Sequence, residues 1–188
     1  LERKFWRERE KELVDKLHIQ ATTDQLTGIF NRRVVFDALD EAMENANESQ
    51  DREFTTIMFD IDFFKQVNDT YGHAGGDAVL ISFAKLLESE ITSPNIVGRI
   101  GGEEFLAILY LNQDQAAEFC KKLIIKINDN TVNFEGIDIK ISSSGGVAFS
   151  SETNTSADLT NKADERLYEA KKSGRNRFKL IDSELVGD

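Results

Sequence analysis

Proline and cysteine are almost missing from this chain, with one of each in 188 residues. A lone cysteine, Cys120, rules out an intrachain disulfide and suits a reducing compartment. It falls on an apolar helical stripe and reads as a small core residue rather than a reactive thiol. Long apolar runs are missing too. Hydrophobic residues make up 40% of the chain, yet no run nears the roughly 18 residues that would cross a bilayer. No signal peptide is visible, and the expected compartment, taken from the cysteine usage, is the cytoplasm, with a membrane anchor left open for the full-length protein. Positive charge is in deficit: 23 Lys and Arg against 34 Asp and Glu leave a formal charge of −11. That balance argues against a nucleic-acid partner, because neutralising phosphates supplies most of such affinity. An acidic chain can still hold a nucleotide if metal ions and a few local cations screen the phosphates. Repeats and low-complexity tracts are absent as well. The length suits one domain with a real core and an appended helix. The chain begins at Leu1 rather than Met, so the expectation is a piece of something longer.

What is present centres on residues 97–109, where Gly101 and Gly102 separate two apolar runs. A Gly-Gly pair in that setting signals a two-residue hairpin turn, since primed turns need φ > 0. Beside such a turn a phosphate can approach the backbone closely. Glu103 and Glu104 follow at once, on opposite faces if the strand begins there. By themselves these five residues also fit a solvated acidic hairpin tip.

Residues 1–20 are charged and free of breakers, with Trp6, Leu13 and Leu17 spaced by seven and four. This thin seam is too short to establish a coiled coil. It fits the end of a parallel helix pair arriving from an upstream module, and equally a solvated helical extension. Asp24 to Gly28 breaks the pattern, and Asn31 can cap a helix striped by Val35, Ala38, Leu39, Ala42, Met43 and Ala46. Asn45 to Asp51 reads as a loop and Phe54 to Phe59 as a buried strand. That strand runs into Asp60-Ile61-Asp62-Phe63-Phe64-Lys65, where acids are poorly placed for packing but well placed to hold a cation.

Asn68 to Asp77 reads as a polar, glycine-rich connection, followed by a helix striped by Leu80, Phe83, Ala84, Leu87 and Ile91 and closed near Pro94. The hairpin should pair roughly 96–100 with 103–110. A third helix carries Ala116, Phe119, Cys120, Leu123, Ile124 and Ile127, and a half-buried strand carries Ile137, Ile139 and Ile141. Gly146 to Phe149 reads as the next strand. Leu159, Ala163, Leu167 and Ala170 stripe the last helix, which runs into Lys171 to Asn176; a short strand at 177–181 and a polar tail follow. Strands alternate with helices but include hairpins, so the sheet should be mixed or antiparallel, with helices on its faces.

Four motifs now stand in order: Asp24-x-Leu-Thr with Asn31-Arg32, the Asp60 to Asp77 block, Gly101-Gly102-Glu103-Glu104-Phe105, and Lys171 to Asn176. Together they resemble the GGDEF family of diguanylate cyclases over residues 22 to about 180. The resemblance implies an α+β fold, a five-stranded, mainly antiparallel sheet wrapped by helices and related to class III nucleotide cyclases and polymerase palms. It sets the expected units at 1–20 for a signalling helix, 21–182 for the cyclase domain and 183–188 for a tail. It implies condensation of two GTP into cyclic di-GMP and two pyrophosphates, across a transient homodimer and under an upstream sensor. This is a bacterial signalling activity.

The family's roles carry over residue by residue. Asp60, Glu103 and the Ile61 carbonyl resemble ligands of two Mg²⁺ ions, with Mn²⁺ able to substitute; such ions prefer oxygen donors and can stabilise both the attacking and the leaving oxygen. Glu104 would assist the metal site or the 3′-hydroxyl. Asn68 and Asp77 resemble the guanine readers, since a carboxylate is acceptor-only and guanine offers N1–H and N2–H₂. Phe63, Phe64 and Lys65 would line the metal and phosphate region. His73 falls at a position near the substrate, or serves only to stabilise a turn. Lys171 and Arg175 would donate to the β- and γ-phosphates; outside the motif set they would read as solvated charges favoured by a helix dipole. Asp24 and Arg32 read as structural ties to the entering helix.

One departure matters. Many family members carry an Arg-x-x-Asp tetrad upstream of the signature that binds product and shuts the enzyme off; here the register holds Thr92-Ser93-Pro94-Asn95. The reading is an active cyclase without that inhibition. Its rivals are a silent GGDEF module binding GTP or a partner protein, and a mononucleotide cyclase or polymerase-like enzyme. Silent modules typically lose the signature acids or the metal Asp, which this chain keeps.

Overall fold

A computed structural model describes residues 2–49 and 52–187. Helix α1 (Glu2–Thr22) leads into a two-residue strand β1 (Phe30–Asn31) and helix α2 (Arg32–Glu48). Asn31 caps α2 as expected, its side chain accepting from the Val34 N–H at 3.1 Å. α2 runs through most of the loop expected at 45–51, of which residues 50 and 51 lie outside the described residues. Strand β2 (Thr55–Ile61) is buried along its whole length and is followed by the long helix α3 (Phe64–Glu90). β3 (Ile96–Arg99) and β4 (Glu104–Leu109) form the hairpin, then come α4 (Gln113–Asp129), β5 (Thr131–Phe134), β6 (Ile137–Lys140) and β7 (Ser143–Phe149). α5 (Ser156–Lys172), β8 (Arg177–Lys179) and β9 (Glu184–Val186) complete the chain.

The sheet departs from the expected five mainly antiparallel strands. Among the described residues it has seven, ordered β1-β3-β4-β2-β7-β8-β9, with β1–β3 and β7–β8 parallel and the remaining pairs antiparallel. The extra strands are short edges, and β9 is drawn from residues expected to be tail. β5 and β6 form a separate hairpin, which leaves Ile137 exposed while Ile139 is buried.

Alternation along β2 and β4 divides the core between the two faces. Ile57, Phe59, Phe105, Ala107 and Leu109 pack with α3 and α4, where Phe59, Phe83, Phe105 and Phe178 meet edge to face. Met58, Leu106 and Ile108 pack with α2 and α5. The register sets Asp60 opposite Glu104, so both carboxylates share the α2/α5 face at one end of the sheet. α5 reaches that end because it lies against bare backbone: a Cβ on Gly146 of β7 would strike the Ala163 carbonyl and the Leu167 nitrogen. Cys120 is fully buried, and burial pushes its thiol up to about 12, in keeping with an inert core residue.

Helix α3 corrects a second expectation. The glycine-rich segment read as a connection is helical, bent where Gly72 takes φ 72° and ψ 174°. Phe64 and Val67 are buried before the bend, and Gly75 and Gly76 after it. Core packing therefore outweighs the weak local propensity of the segment.

Candidate active site

The Gly101–Gly102 turn differs from the expected two-residue primed form. Arg99 pairs with Phe105, and the Ile100 N–H donates to the Glu104 carbonyl at 3.0 Å, leaving a three-residue loop of Gly101, Gly102 and Glu103. Neither glycine has positive φ. A Cβ on Gly102 would meet nothing within 4 Å, and one on Gly101 would meet only Glu104 Oε2 at 3.1 Å. Backbone strain does not demand the glycines, and their missing side chains leave open space beside the main chain.

Asp60 lies at the floor of this end of the sheet, its side chain 9% exposed, with Lys171 Nζ of α5 at 2.8 Å from Oδ2. Burial pushes its carboxyl up and Lys171 pulls it down; Glu103 and Glu104 then push it up again, so the net direction is above the ordinary carboxylate value. The next residue, Ile61, is buried and its N–H donates to the Glu103 carbonyl at 3.3 Å. Phe63 then takes a left-handed conformation, φ 55°, and stands half exposed under the Arg175 guanidinium, 4.7 Å from its ring centroid. Phe64, by contrast, is a core residue whose ring packs where a Gly76 side chain would stand.

The bend in α3 folds Asn68 over Gly76, where a Cβ would overlap Asn68 Oδ1. That close approach sets half-buried Asn68 beside the turn carrying exposed Asp77. Phe134 of the separate hairpin lies close by: a Cβ on Gly75 would overlap the Tyr71 Cβ and reach the Phe134 ring at 3.5 Å. Lys65 and His73 are exposed on α3. The structure thus gathers Asp60, Ile61, Phe63, Glu103, Glu104, Lys171 and Arg175 at one sheet end, with Asn68 and Asp77 on the adjoining helix.

Several contributors had no signal of their own in the sequence. Asp62 accepts from Ser142 Oγ and Ser144 Oγ at 2.7 Å each and from the Asn176 N–H at 2.9 Å, which pins the segment after α5 to the end of β2. The sequence shows only a run of three serines, Ser142 to Ser144, leading into β7. Arg99 donates to the Gly102 carbonyl at 2.9 Å and pairs with Asp24 at 3.1 Å. Burial pushes the Asp24 carboxyl up, but hydrogen bonds from Thr27 and Arg99 outweigh it and hold it below the ordinary value. Arg32 donates to the Ile100 carbonyl at 3.0 Å, so Asp24 and Arg32 tie the exit of α1 to the signature turn. At the tetrad register, Asn95 is already engaged, its Oδ1 accepting the Tyr110 N–H at 2.9 Å.

Family comparison agrees with this geometry: the model described as "Diguanylate cyclase, GGDEF domain" matches residues 21–177. The chain belongs to the GGDEF family of diguanylate cyclases. It is 36% identical over 170 residues to diguanylate cyclase DgcS of Shewanella oneidensis, covering 90% of this chain and 56% of that protein. It is 35% identical over 168 residues to diguanylate cyclase A of Treponema denticola, covering 87% and 45%. The chain therefore spans about half the length of these curated relatives. Among solved structures, the coiled coil and GGDEF domain of DgcB from Caulobacter crescentus, in complex with c-di-GMP, superposes with a TM-score of 0.86 at 27% identity, covering 96% of each chain. SiaD of Pseudomonas aeruginosa, solved with its activator SiaC, gives 0.82 at 32% identity, covering 95% of this chain and 68% of that one.

Whether this GGDEF site suits divalent metal can be judged from its donors. Among the described residues no three His, Cys, Asp or Glu side chains enclose a point where an ion would sit. Mg²⁺ is ordinarily bound by one or two carboxylates plus substrate phosphates rather than by a protein cage, so the donor set of Asp60, Glu103 and the Ile61 carbonyl fits it.

Proposed function

We propose that the chain is an active, Mg²⁺-dependent diguanylate cyclase domain that joins two GTP into cyclic di-GMP with release of two pyrophosphates. The observation that carries this reading is the crowding of three carboxylates onto one sheet end, faced by Lys171 and Arg175 and bordered by a bare glycine turn. Phosphoryl chemistry needs such a mixture: acids to hold metal, cations to meet phosphates, and a main chain that a phosphate can reach.

When bound, Mg²⁺ would neutralise triphosphate oxygens and stabilise the departing pyrophosphate. Asp60, Glu103 and the Ile61 carbonyl would hold two such ions, and Glu104 would take the 3′-hydroxyl side. Lys171 and Arg175 would donate to the β- and γ-phosphates, Phe63 and Lys65 would border them, and His73 would sit near the substrate. Asn68 and Asp77 would read the guanine edge; ATP would leave both unpaired, and rejection could reach roughly 10⁴-fold.

Each subunit holds one GTP, so the two 3′-hydroxyls attack across a pair of domains. Helix α1 offers the means of pairing: Trp6, Leu13, Val14, Leu17 and Ile19 are each at least 56% exposed. No helix among the described residues is long and apolar enough to cross a membrane. On this reading 1–20 is the linker from an upstream sensor, 21–182 the catalytic unit with β9 closing its sheet edge, and the setting is the cytoplasm. With Thr92 and Asn95 at the tetrad register, tight feedback by cyclic di-GMP is not expected there.

The test is to incubate the protein with GTP and Mg²⁺ and resolve the products. Cyclic di-GMP, formed at a specific activity that rises with protein concentration, is the expected result. Cyclic GMP or polymer would favour a related enzyme, and bound but unreacted GTP a silent module.

A further inference from the structure

Lys171 is expected to meet a phosphate, yet its ammonium lies 2.8 Å from the carboxylate assigned to metal. We propose, building on the cyclase reading, that Lys171 and the divalent cation are alternative occupants of Asp60. Arrival of the metal expels the ammonium, which is then free to meet the triphosphate, so one side chain couples metal binding to nucleotide binding.

Three features support an exchange rather than a fixed pair. First, the two partners differ in freedom. Asp60 is locked within β2, paired with Glu104 of β4 on one side and Ser144 of β7 on the other. Lys171 sits in the last turn of α5, its side chain 30% exposed, on a flexible stem with a single contact to Asp60. Second, the charges are unbalanced. Glu103 and Glu104 both press on Asp60, and among the described residues Lys171 is the cation that relieves it, while Arg175 is stacked on Phe63. Third, the positions compete. A hard dication needs carboxylate oxygen at about 2.0–2.1 Å, and an ammonium held on the same buried group would face it at close range, where like charges repel strongly. Asp62, two residues on, shows the contrast: its three neutral donors leave nothing to exchange.

The experiment measures Mn²⁺ binding to the intact chain without nucleotide, by electron paramagnetic resonance of the free ion at about pH 8. Lys171→Gln should bind Mn²⁺ about tenfold more tightly than wild type, since the competing charge is gone. Lys171→Arg, which keeps the charge, should not tighten it. A second readout is the factor by which saturating Mn²⁺ tightens a non-hydrolysable GTP analogue; that factor should shrink at least several-fold in Lys171→Gln. Lys171→Met preserves the stem and serves if Gln disturbs the helix end. Unchanged or weaker Mn²⁺ binding in the uncharged variants would overturn the exchange, because Lys171 would then share or orient Asp60. Exchange without any cyclic di-GMP would sink the cyclase reading alone, and full cyclase activity without exchange would sink only this one.

Discussion

Two carboxylates meet cations of α5, and they meet them differently. Glu152 receives a fork from Arg166 at 2.6 and 2.7 Å and the Phe149 N–H at 2.8 Å, with side chains 12% and 14% exposed. Burial pushes its carboxyl up, but these donors outweigh burial and hold it below the ordinary value. Asp60 has one contact from Lys171 and two neighbouring carboxylates, and its net direction is the opposite. Planar Arg in a bidentate fork suits a permanent tie, whereas Lys is a point charge on a mobile stem. The first pair fastens α5 to the end of β7, where Arg166 also donates to the Val147 carbonyl at 2.6 Å. The second leaves an acid under strain in a place where a metal ion would relieve it. A perturbed carboxylate with a loose partner marks a functional site more reliably than a well-satisfied one.

Relieving the crowding should carry the largest cost to activity. Glu103→Gln removes one of the charges pressing on Asp60 and a proposed metal ligand while keeping its shape. Turnover should fall on the order of 10²–10³-fold, with the melting temperature preserved. Cyclic di-GMP production within a few-fold of wild type would show that Glu103 is not a ligand. Cutting the structural pair should do the reverse. Glu152→Gln is expected to cost about 2–3 kcal/mol, because it leaves the largely buried Arg166 charge with the Val147 carbonyl but without its carboxylate. For a chain of this size that means a melting shift of roughly 4–12 °C, with turnover unchanged at temperatures where the variant is folded. Loss of turnover in the folded variant would erase the distinction between the pairs.

The smallest effect is a pH signature. The folded-state value of Glu152 is lowered from 4.5, so its stabilisation is present above that value and is lost as pH falls through the folded one. The melting difference between wild type and Glu152→Gln should therefore be flat above about pH 5 and shrink below about pH 4. A difference that persists unchanged into strong acid would mean that the Glu152 charge is not what stabilises.

Much of this was legible beforehand, for physical reasons. The stripes of α2 and α5 repeat at helical spacing because each packs one face on the sheet, and Asn31 announces the start of α2 through its cap. The acids and cations of the site lie in four short motifs, and their resemblance as a set to the GGDEF family, rather than adjacency alone, singles them out. What spacing could not show was contact at a distance. Asp62 meets serines 80 and 82 positions away, and Asp24 meets Arg99 75 positions away. Local propensity misled most in α3, where polar residues and glycines read as loop. Those glycines instead let Asn68 and Tyr71 close onto the helix beyond the bend, while Phe64 and Val67 anchor it from below. The tail was misread because β9 pairs with β8 through main-chain bonds, the Arg177–Glu184 ion pair at 3.1 Å and Leu185 against the core, contacts too few to give a recognisable strand pattern.

The most direct measurement takes melting and turnover of Asp60→Asn from one sample near pH 7.5. Folding raises the Asp60 carboxyl above 3.8, so its contribution to stability is present below that value and is lost as pH rises through the folded one. At neutral pH the ionised group therefore burdens the fold, and a neutral amide should lift that burden. Turnover should collapse by about 10²-fold or more while the melting temperature stays level or rises. A variant that melts clearly lower, in the manner expected of Glu152→Gln, would show that Asp60 is a structural acid and that the comparison between the two pairs is mistaken.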